Sequence, residues 1–181
     1  MAAILGLDRP TVERLCAEVE RGEVVSCANA NGPGQIVIAG HAPAVKRACE
    51  AALAAGASRA IPLQVSAPFH CALMEPAARR LSAMLASVTF CDPSIPVYTN
   101  VDAAVVTTAA ASRDALGRQV VSSVRWEEEI LRMAQDGIDT FVEFGPGKVL
   151  AGLVRRIRKD LRVHSVSDAT GLTATLQALE S

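Results

Sequence analysis

The chain has 181 residues, 50% of them hydrophobic, and a formal net charge of −1 at pH 7. That is enough apolar material to bury the core of one compact body or two small ones, which excludes a disordered chain. Lys and Arg (18) are interspersed with Asp and Glu (19), so no basic face forms, and nucleic acid and anionic membrane are excluded as partners in favour of a small or weakly charged one.

The five cysteines (Cys16, Cys27, Cys49, Cys71, Cys91) are scattered, without a C-x-x-C pair or a histidine at zinc-ligand spacing. They signal neither a metal site nor a disulfide framework, and a cytoplasmic, reducing location is expected. The opening MAAILGLDRP lacks a basic n-region, and no apolar run reaches the roughly 18 to 20 residues of a membrane span. No secretion signal or anchor is therefore expected. A strand-like run that begins at Met1 itself reads as the interior of a longer chain.

In chain order, Ala2–Leu5 is a short apolar strand. Asp8 is an N-cap and Pro10 lies in the first turn of a helix reaching about Glu20, where its missing N–H costs nothing. Val12, Leu15, Cys16 and Val19 recur at spacings of three and four, which gives that helix one buried face. After Gly22, Val24–Ala28 reads as a strand, Asn29–Gly34 as a turn rich in Asn, Gly and Pro, and Gln35–Ala39 as a strand pairing back in a hairpin. Pro43 opens a second helix with Val45, Ala48, Ala52 and Leu53 inward. Gly56 ends it, and Ser58–Leu63 is a fourth strand. The order βαββαβ is the ferredoxin-like unit.

Beyond Leu63, strands alternating with longer helices predict a parallel α/β sheet. Val65–Ala67 is a short strand, Met74–Ser87 a helix and Pro96–Thr99 a strand. Ser112–Val121 and Trp126–Gln135 are helices, and Gly137 precedes the strand Thr140–Phe144. A basic helix Lys148–Lys159, a strand Val163–Val166 and a helix Leu172–Leu179 complete the pattern. These strands are too few for a free-standing doubly wound sheet, so the region is expected to complete a sheet begun upstream.

Three stretches have chemical potential. In Ser66-Ala67-Pro68-Phe69-His70-Cys71-Ala72-Leu73-Met74, a histidine follows an X-Pro turn and precedes a helix. An imidazole there is suited to taking and returning a proton near neutral pH, although spacing alone favours a structural histidine. Cys71 reads as a small buried apolar residue rather than a nucleophile. In Asn29-Ala30-Asn31-Gly32-Pro33-Gly34-Gln35, amides and backbone N–H groups are available to a ligand amide, but hairpin chemistry explains all of it except Gln35. Glu143-Phe144-Gly145-Pro146-Gly147-Lys148 departs from Walker A spacing and reads as a strand-to-helix packing turn. Arg155, Arg156, Arg158 and Lys159 complement the end of a helix dipole and are also available to an acidic carrier.

SCANANGPGQIVIAG, IPLQVSAPFHCALMEPA, SVRWEEEI and VEFGPGKVLAGLVRRI together resemble, in order and spacing, the malonyl-CoA:acyl-carrier-protein transacylases of type II fatty acid synthesis, from Met1 to about Leu179. The resemblance implies an α/β fold in which a ferredoxin-like subdomain (1–65) is followed by the C-terminal part of an α/β-hydrolase-like large subdomain (66–181). It implies ping-pong transfer of malonyl from malonyl-CoA to a GHSxG serine, and from there to the phosphopantetheine thiol of acyl carrier protein. His70 matches the catalytic base, and a main-chain carbonyl, expected at Arg125, orients its ring. Asn31 and Gln35 match a loop over the acyl and pantetheine channel, and Phe69 the bulky residue that goes with malonyl preference. No metal or bound cofactor is implied, since CoA and phosphopantetheine enter as parts of substrates.

No G-x-S-x-G occurs in the chain, so the serine, its oxyanion turn and the family's malonate-binding arginine are expected in a complementary N-terminal segment. The chain alone is expected to be inactive. Two other readings carry distinct expectations. A non-catalytic module would bind acyl carrier protein without transfer, and RNA binding is disfavoured because Gln35–Ala39 offers no aromatic for stacking.

Overall fold

The computed structural model describes residues 1–180, which fall into two compact units, one from Met1 to Glu129 and the other from Ile130 onward. The first opens with β1 (Ala2–Leu5), α1 (Arg9–Val19), β2 (Val25–Gly32), β3 (Gln35–Gly40), α2 (Ala42–Ala54) and β4 (Arg59–Pro62). The four strands form one antiparallel sheet in the order β2-β3-β1-β4. This is the ferredoxin-like arrangement expected from the βαββαβ pattern.

Period-two alternation sorts the strand residues between two faces. Ile4, Ile36 and Ile38 face Val12, Leu15 and Cys16 of α1 and Ala44, Val45 and Ala48 of α2 in one buried cluster. Full burial of such an aliphatic side chain contributes roughly 1.5–3 kcal/mol. Ala28, Val37 and Ala39 lie on the opposite face, where Cys71 packs against them.

β2 does not end at Ala28 but pairs with β3 as far as Gly32, with register shifts between Cys27 and Asn29 and between Ala30 and Gly32. Bulges of this kind accommodate extra residues in one strand, so the Asn-rich stretch is mostly strand and the turn shrinks to Pro33 and Gly34. Where β3 ends, a Cβ on Gly40 would lie 2.0 Å from the Val24 carbonyl oxygen, and His41 closes the edge by accepting the Val24 N–H at Nδ1 (2.9 Å).

The first unit continues through a 3-10 turn (Ala72–Met74), α3 (Glu75–Ser87), β5 (Val97–Thr99), β6 (Ala104–Val106), α4 (Ala109–Gln119) and the start of α5 (Trp126–Gln135). Val65–Ala67 forms no strand, its neighbour Pro68 being poorly compatible with a ladder. β5 and β6 form an antiparallel hairpin, not part of a parallel sheet, and its second strand is too short to register as a pattern. α4 starts three residues earlier than expected because Thr108 caps it, its hydroxyl accepting the Ala111 N–H (3.2 Å). The subdomain boundary expected near residue 65 lies inside this unit.

In the second unit β7 (Thr140–Phe144), α6 (Val149–Ile157) and β8 (Arg162–Val166) form a parallel βαβ unit, followed by α7 (Ala169–Glu180). Glu143 at the end of β7 accepts the Leu150 and Ala151 N–H groups (3.0 and 2.9 Å). The first amides of α6 are thereby satisfied from within the chain. With the Gly145 N–H also donated to the Val166 carbonyl (3.0 Å), GPGK has the form of a packing turn.

Gly40→Ala is expected to destabilise the first unit by about 2–3 kcal/mol, the cost of forcing a methyl into filled space. Urea unfolding of the two proteins, compared at equal m-value, measures it.

Candidate active site

His70 lies in the loop between β4 and α3. Its backbone has φ of 61°, the left-handed region that non-glycine residues seldom occupy and that clusters at functional sites. Cys71 and the following turn hold it there. Cys71 is 1% exposed and packs on Ala28, Val37 and Ala39. Its thiol donates to the Pro68 carbonyl (3.1 Å), and its own carbonyl accepts the Met74 N–H (3.0 Å). Burial pushes the Cys71 thiol above its ordinary value, which suppresses the thiolate a nucleophile requires. The sequence motif therefore divides its labour, with Cys71 as anchor and His70 as the presented group.

The half-buried imidazole places Nδ1 3.1 Å from the main-chain oxygen of Gln119. The Gln119 side-chain amide is also near, at 3.4 Å from the same nitrogen. The two partners demand opposite states of Nδ1, since a carbonyl only accepts and an amide NH2 only donates. The shorter separation selects the carbonyl, so Nδ1 carries the hydrogen and Nε2 keeps its lone pair. Among the described residues Nε2 has no hydrogen-bond partner.

The carbonyl expected at Arg125 is thus supplied by Gln119. Gln119 is the last residue of α4, where a helix leaves its carbonyls without intrahelical partners; this one receives only a long contact from the Ser122 N–H (3.4 Å). The Arg125 carbonyl is engaged in α5, accepting the Glu129 N–H (2.9 Å). Its guanidinium binds Glu128 and donates to the Asp102 carbonyl (3.1 Å). Gln119 carries no side-chain signal because its main chain is used, and only its place at a helix end distinguishes it.

Phe69, beside the histidine, is 43% exposed. Asn31 and Gln35 lie at the closed end of the β2–β3 hairpin, where Gln35 pairs with Gly32 and Leu5. Ala30, Ile36 and Ile38 belong to the helix-covered core. By alternation Gln35 projects from the other face, the one on which Cys71 packs, whereas Asn31 sits at the register shift between Ala30 and Gly32, where the alternation breaks. The structure therefore sets the Gln35 amide on the sheet face that anchors His70. β2 is also joined to the segment after Gln119, with Ala30 N–H donating to the Val124 carbonyl and Val124 N–H to the Ala28 carbonyl (both 2.8 Å).

One further ionisable group stands out. Glu129 is 4% exposed, its Oε2 has no hydrogen-bond partner among the described residues, and burial pushes its carboxyl up from 4.5 to about 7. Among the described residues no group of three or more His, Cys, Asp or Glu is placed to hold a metal ion, and no helix is long and apolar enough to cross a membrane.

The family model described as acyl transferase domain matches residues 3–175, and the chain belongs to that family. It is 49% identical over 176 residues to the malonyl CoA-acyl carrier protein transacylase of Salmonella typhimurium, covering 97% of this chain and 57% of the relative. To that of Bacillus subtilis it is 45% identical over 181 residues, covering 99% and 57%. The chain thus spans little more than half the length of these curated relatives. Among solved structures, the acyl-carrier-protein S-malonyltransferase of Burkholderia pseudomallei superposes with a TM-score of 0.94 at 48% identity, covering 97% of this chain and 57% of that one. A complex of a type II polyketide acyl-carrier protein with its malonyl-transacylase gives 0.95 at 45%, covering 98% and 57%.

Because the folded state keeps the Glu129 proton up to about pH 7 and the unfolded chain releases it near its ordinary value, stability falls as pH rises between the two and then levels off. Glu129→Gln is expected to leave stability unchanged near pH 4 and to raise it relative to the parent at pH 8, by on the order of 3 kcal/mol. Denaturant unfolding at the two pH values checks both the sign and the window.

Proposed function

We propose that the chain supplies the general base and acid for transfer of malonyl from malonyl-CoA to the phosphopantetheine thiol of acyl carrier protein, in fatty acid biosynthesis in the cytoplasm. The observation that carries this reading is the His70 ring, with Nδ1 against the Gln119 carbonyl and Nε2 unengaged. The names of the relatives supply the substrate class.

In the first half-reaction His70 Nε2 takes the hydroxyl proton of a serine as its oxygen attacks the malonyl thioester carbonyl. The C–S bond breaks, and the same nitrogen returns the proton to the departing CoA thiolate. In the second half-reaction Nε2 deprotonates the pantetheine thiol, sulfur attacks the acyl-serine ester, and the serine oxygen recovers the proton. The Gln119 carbonyl keeps the ring in the Nδ1–H tautomer throughout, so that Nε2 starts each half-reaction as an acceptor. Every proton is accounted for by one imidazole, without recourse to a metal or bound cofactor.

The 181 residues contain no G-x-S-x-G, so in this reading the acyl-accepting serine is that of a GHSxG stretch outside them, and transfer needs both. Asn31 and Gln35 line the pantetheine channel from the hairpin end, and Phe69 narrows the acyl pocket in favour of malonyl over a methyl-branched acyl group. The alternative, a module that binds acyl carrier protein without turnover, leaves the αL histidine and its carbonyl partner without a role.

Transfer of labelled malonyl from malonyl-CoA to acyl carrier protein tests the reading, with the chain alone and mixed with a GHSxG-bearing N-terminal segment. Activity is expected only in the mixture. It should fall by about 10³-fold or more with His70→Ala and stay within a few-fold of the parent with Gln119→Ala, which keeps the main-chain carbonyl. A folded mixture that binds carrier but transfers nothing would establish the binding module instead.

A further inference from the structure

The carbonyl that faces His70 belongs to the last residue of a helix, and what fixes that residue is its neighbour. Arg118 donates from Nη1 and Nη2 to the two carboxylate oxygens of Asp102 (2.8 and 2.7 Å) and from Nε to Asp114 one turn back (2.7 Å). A two-pronged guanidinium–carboxylate pair fixes direction as well as distance, unlike a single ion contact.

Asp102 sits in the turn between β5 and β6, and that turn also receives the start of α5. The Asn100 carbonyl accepts the Arg125 N–H (2.9 Å), and the Asp102 carbonyl accepts the Arg125 guanidinium (3.1 Å). One turn thereby grips both ends of the segment that runs from Gln119 to Arg125. The pairing is mutual in its electrostatics. The hydrogen bond from Arg118 draws the Asp102 carboxyl below its ordinary value, and the bonds to Asp102 and then Asp114 push the Arg118 guanidinium up.

We propose that Asp102 is a positioning residue for acyl transfer, holding α4 through Arg118 so that the Gln119 carbonyl stays against His70 Nδ1. The inference rests on His70 as the base. Asp102 touches no reacting atom, and its effect passes through one main-chain oxygen. Both partners are partly exposed, at 37% and 44% of their side-chain surface, so a purely structural contribution from the pair is small. The pair matters for direction. A shift of an ångström at the carbonyl frees Nδ1, lets the Gln119 amide donate to it, and moves the ring hydrogen to Nε2, where it blocks the base.

The test reads the ring directly, on the chain itself, by long-range ¹H–¹⁵N correlation at alkaline pH, with the His70 signals assigned from their loss in His70→Ala. The parent is expected to show hydrogen on Nδ1. Asp102→Asn and Arg118→Lys should each shift the ring towards the Nε2–H form while far-UV circular dichroism stays unchanged. In the transfer assay with the GHSxG-bearing segment, both variants should lower kcat about tenfold at unchanged KM for malonyl-CoA, the signature of misorientation rather than lost binding. An unchanged tautomer and unchanged kcat in both variants would overturn the proposal while His70→Ala still abolished transfer. Loss of fold in both would overturn it too, by making the pair structural. Full transfer by His70→Ala would instead remove the base on which the inference rests.

Discussion

The short stretch from Gln119 to Arg125 is the constraint on which the site depends. It leaves α4, presents one carbonyl to His70, and is stitched to β2 by two backbone hydrogen bonds at Val124 before α5 begins. A main-chain oxygen can orient an imidazole only if its own path is fixed, because it has no rotamer to settle into and no charge to draw the ring closer. The path is fixed at Arg118, at Val124 and at Arg125, by three different kinds of interaction. Arg9 of α1 adds a further tie, donating to the Glu128 carboxylate (2.5 Å) that Arg125 also binds. The ferredoxin-like sheet is therefore part of the positioning apparatus, although none of its residues reaches the His70 ring by a hydrogen bond.

The histidine is held from the other side by burial rather than by hydrogen bonding. Cys71 docks on the face of the sheet opposite the helices, directly after the left-handed backbone at His70. The strain of φ near +61° is sustained because the neighbouring residue has nowhere else to go. Gln35 lies on that sheet face for the same reason that Ile36 and Ile38 do not, namely the two-residue period of a strand.

Much of this was legible in the sequence, and the failures have physical causes. The βαββαβ module could be read because Asp8, Pro10, Gly22, Pro43 and Gly56 punctuate helices whose buried faces repeat at 3.6 residues. The GPGK turn was separable from a phosphate loop by spacing alone, and Glu143 takes the Leu150 and Ala151 amides of the helix that follows it. The extent of β2 was hidden because Asn and Gly mark turns and bulged strands alike. The β5–β6 hairpin escaped notice because three-residue strands carry no period. His70 was ambiguous until four motifs stood in register. The carbonyl partner was misplaced at Arg125 because a group that acts through its main chain leaves no trace in residue type. Asp102 and Arg118 were invisible for a related reason, being 16 residues apart and joined only by the fold.

The central claim of the proposed function is that His70 serves as base for a GHSxG serine that lies outside these 181 residues. Intact-mass measurement of that GHSxG-bearing segment after a single exposure to malonyl-CoA tests it most directly. The account predicts a gain of one malonyl group on the serine when the chain is present and no gain without it or with His70→Ala. Equal acylation in all three cases would contradict it.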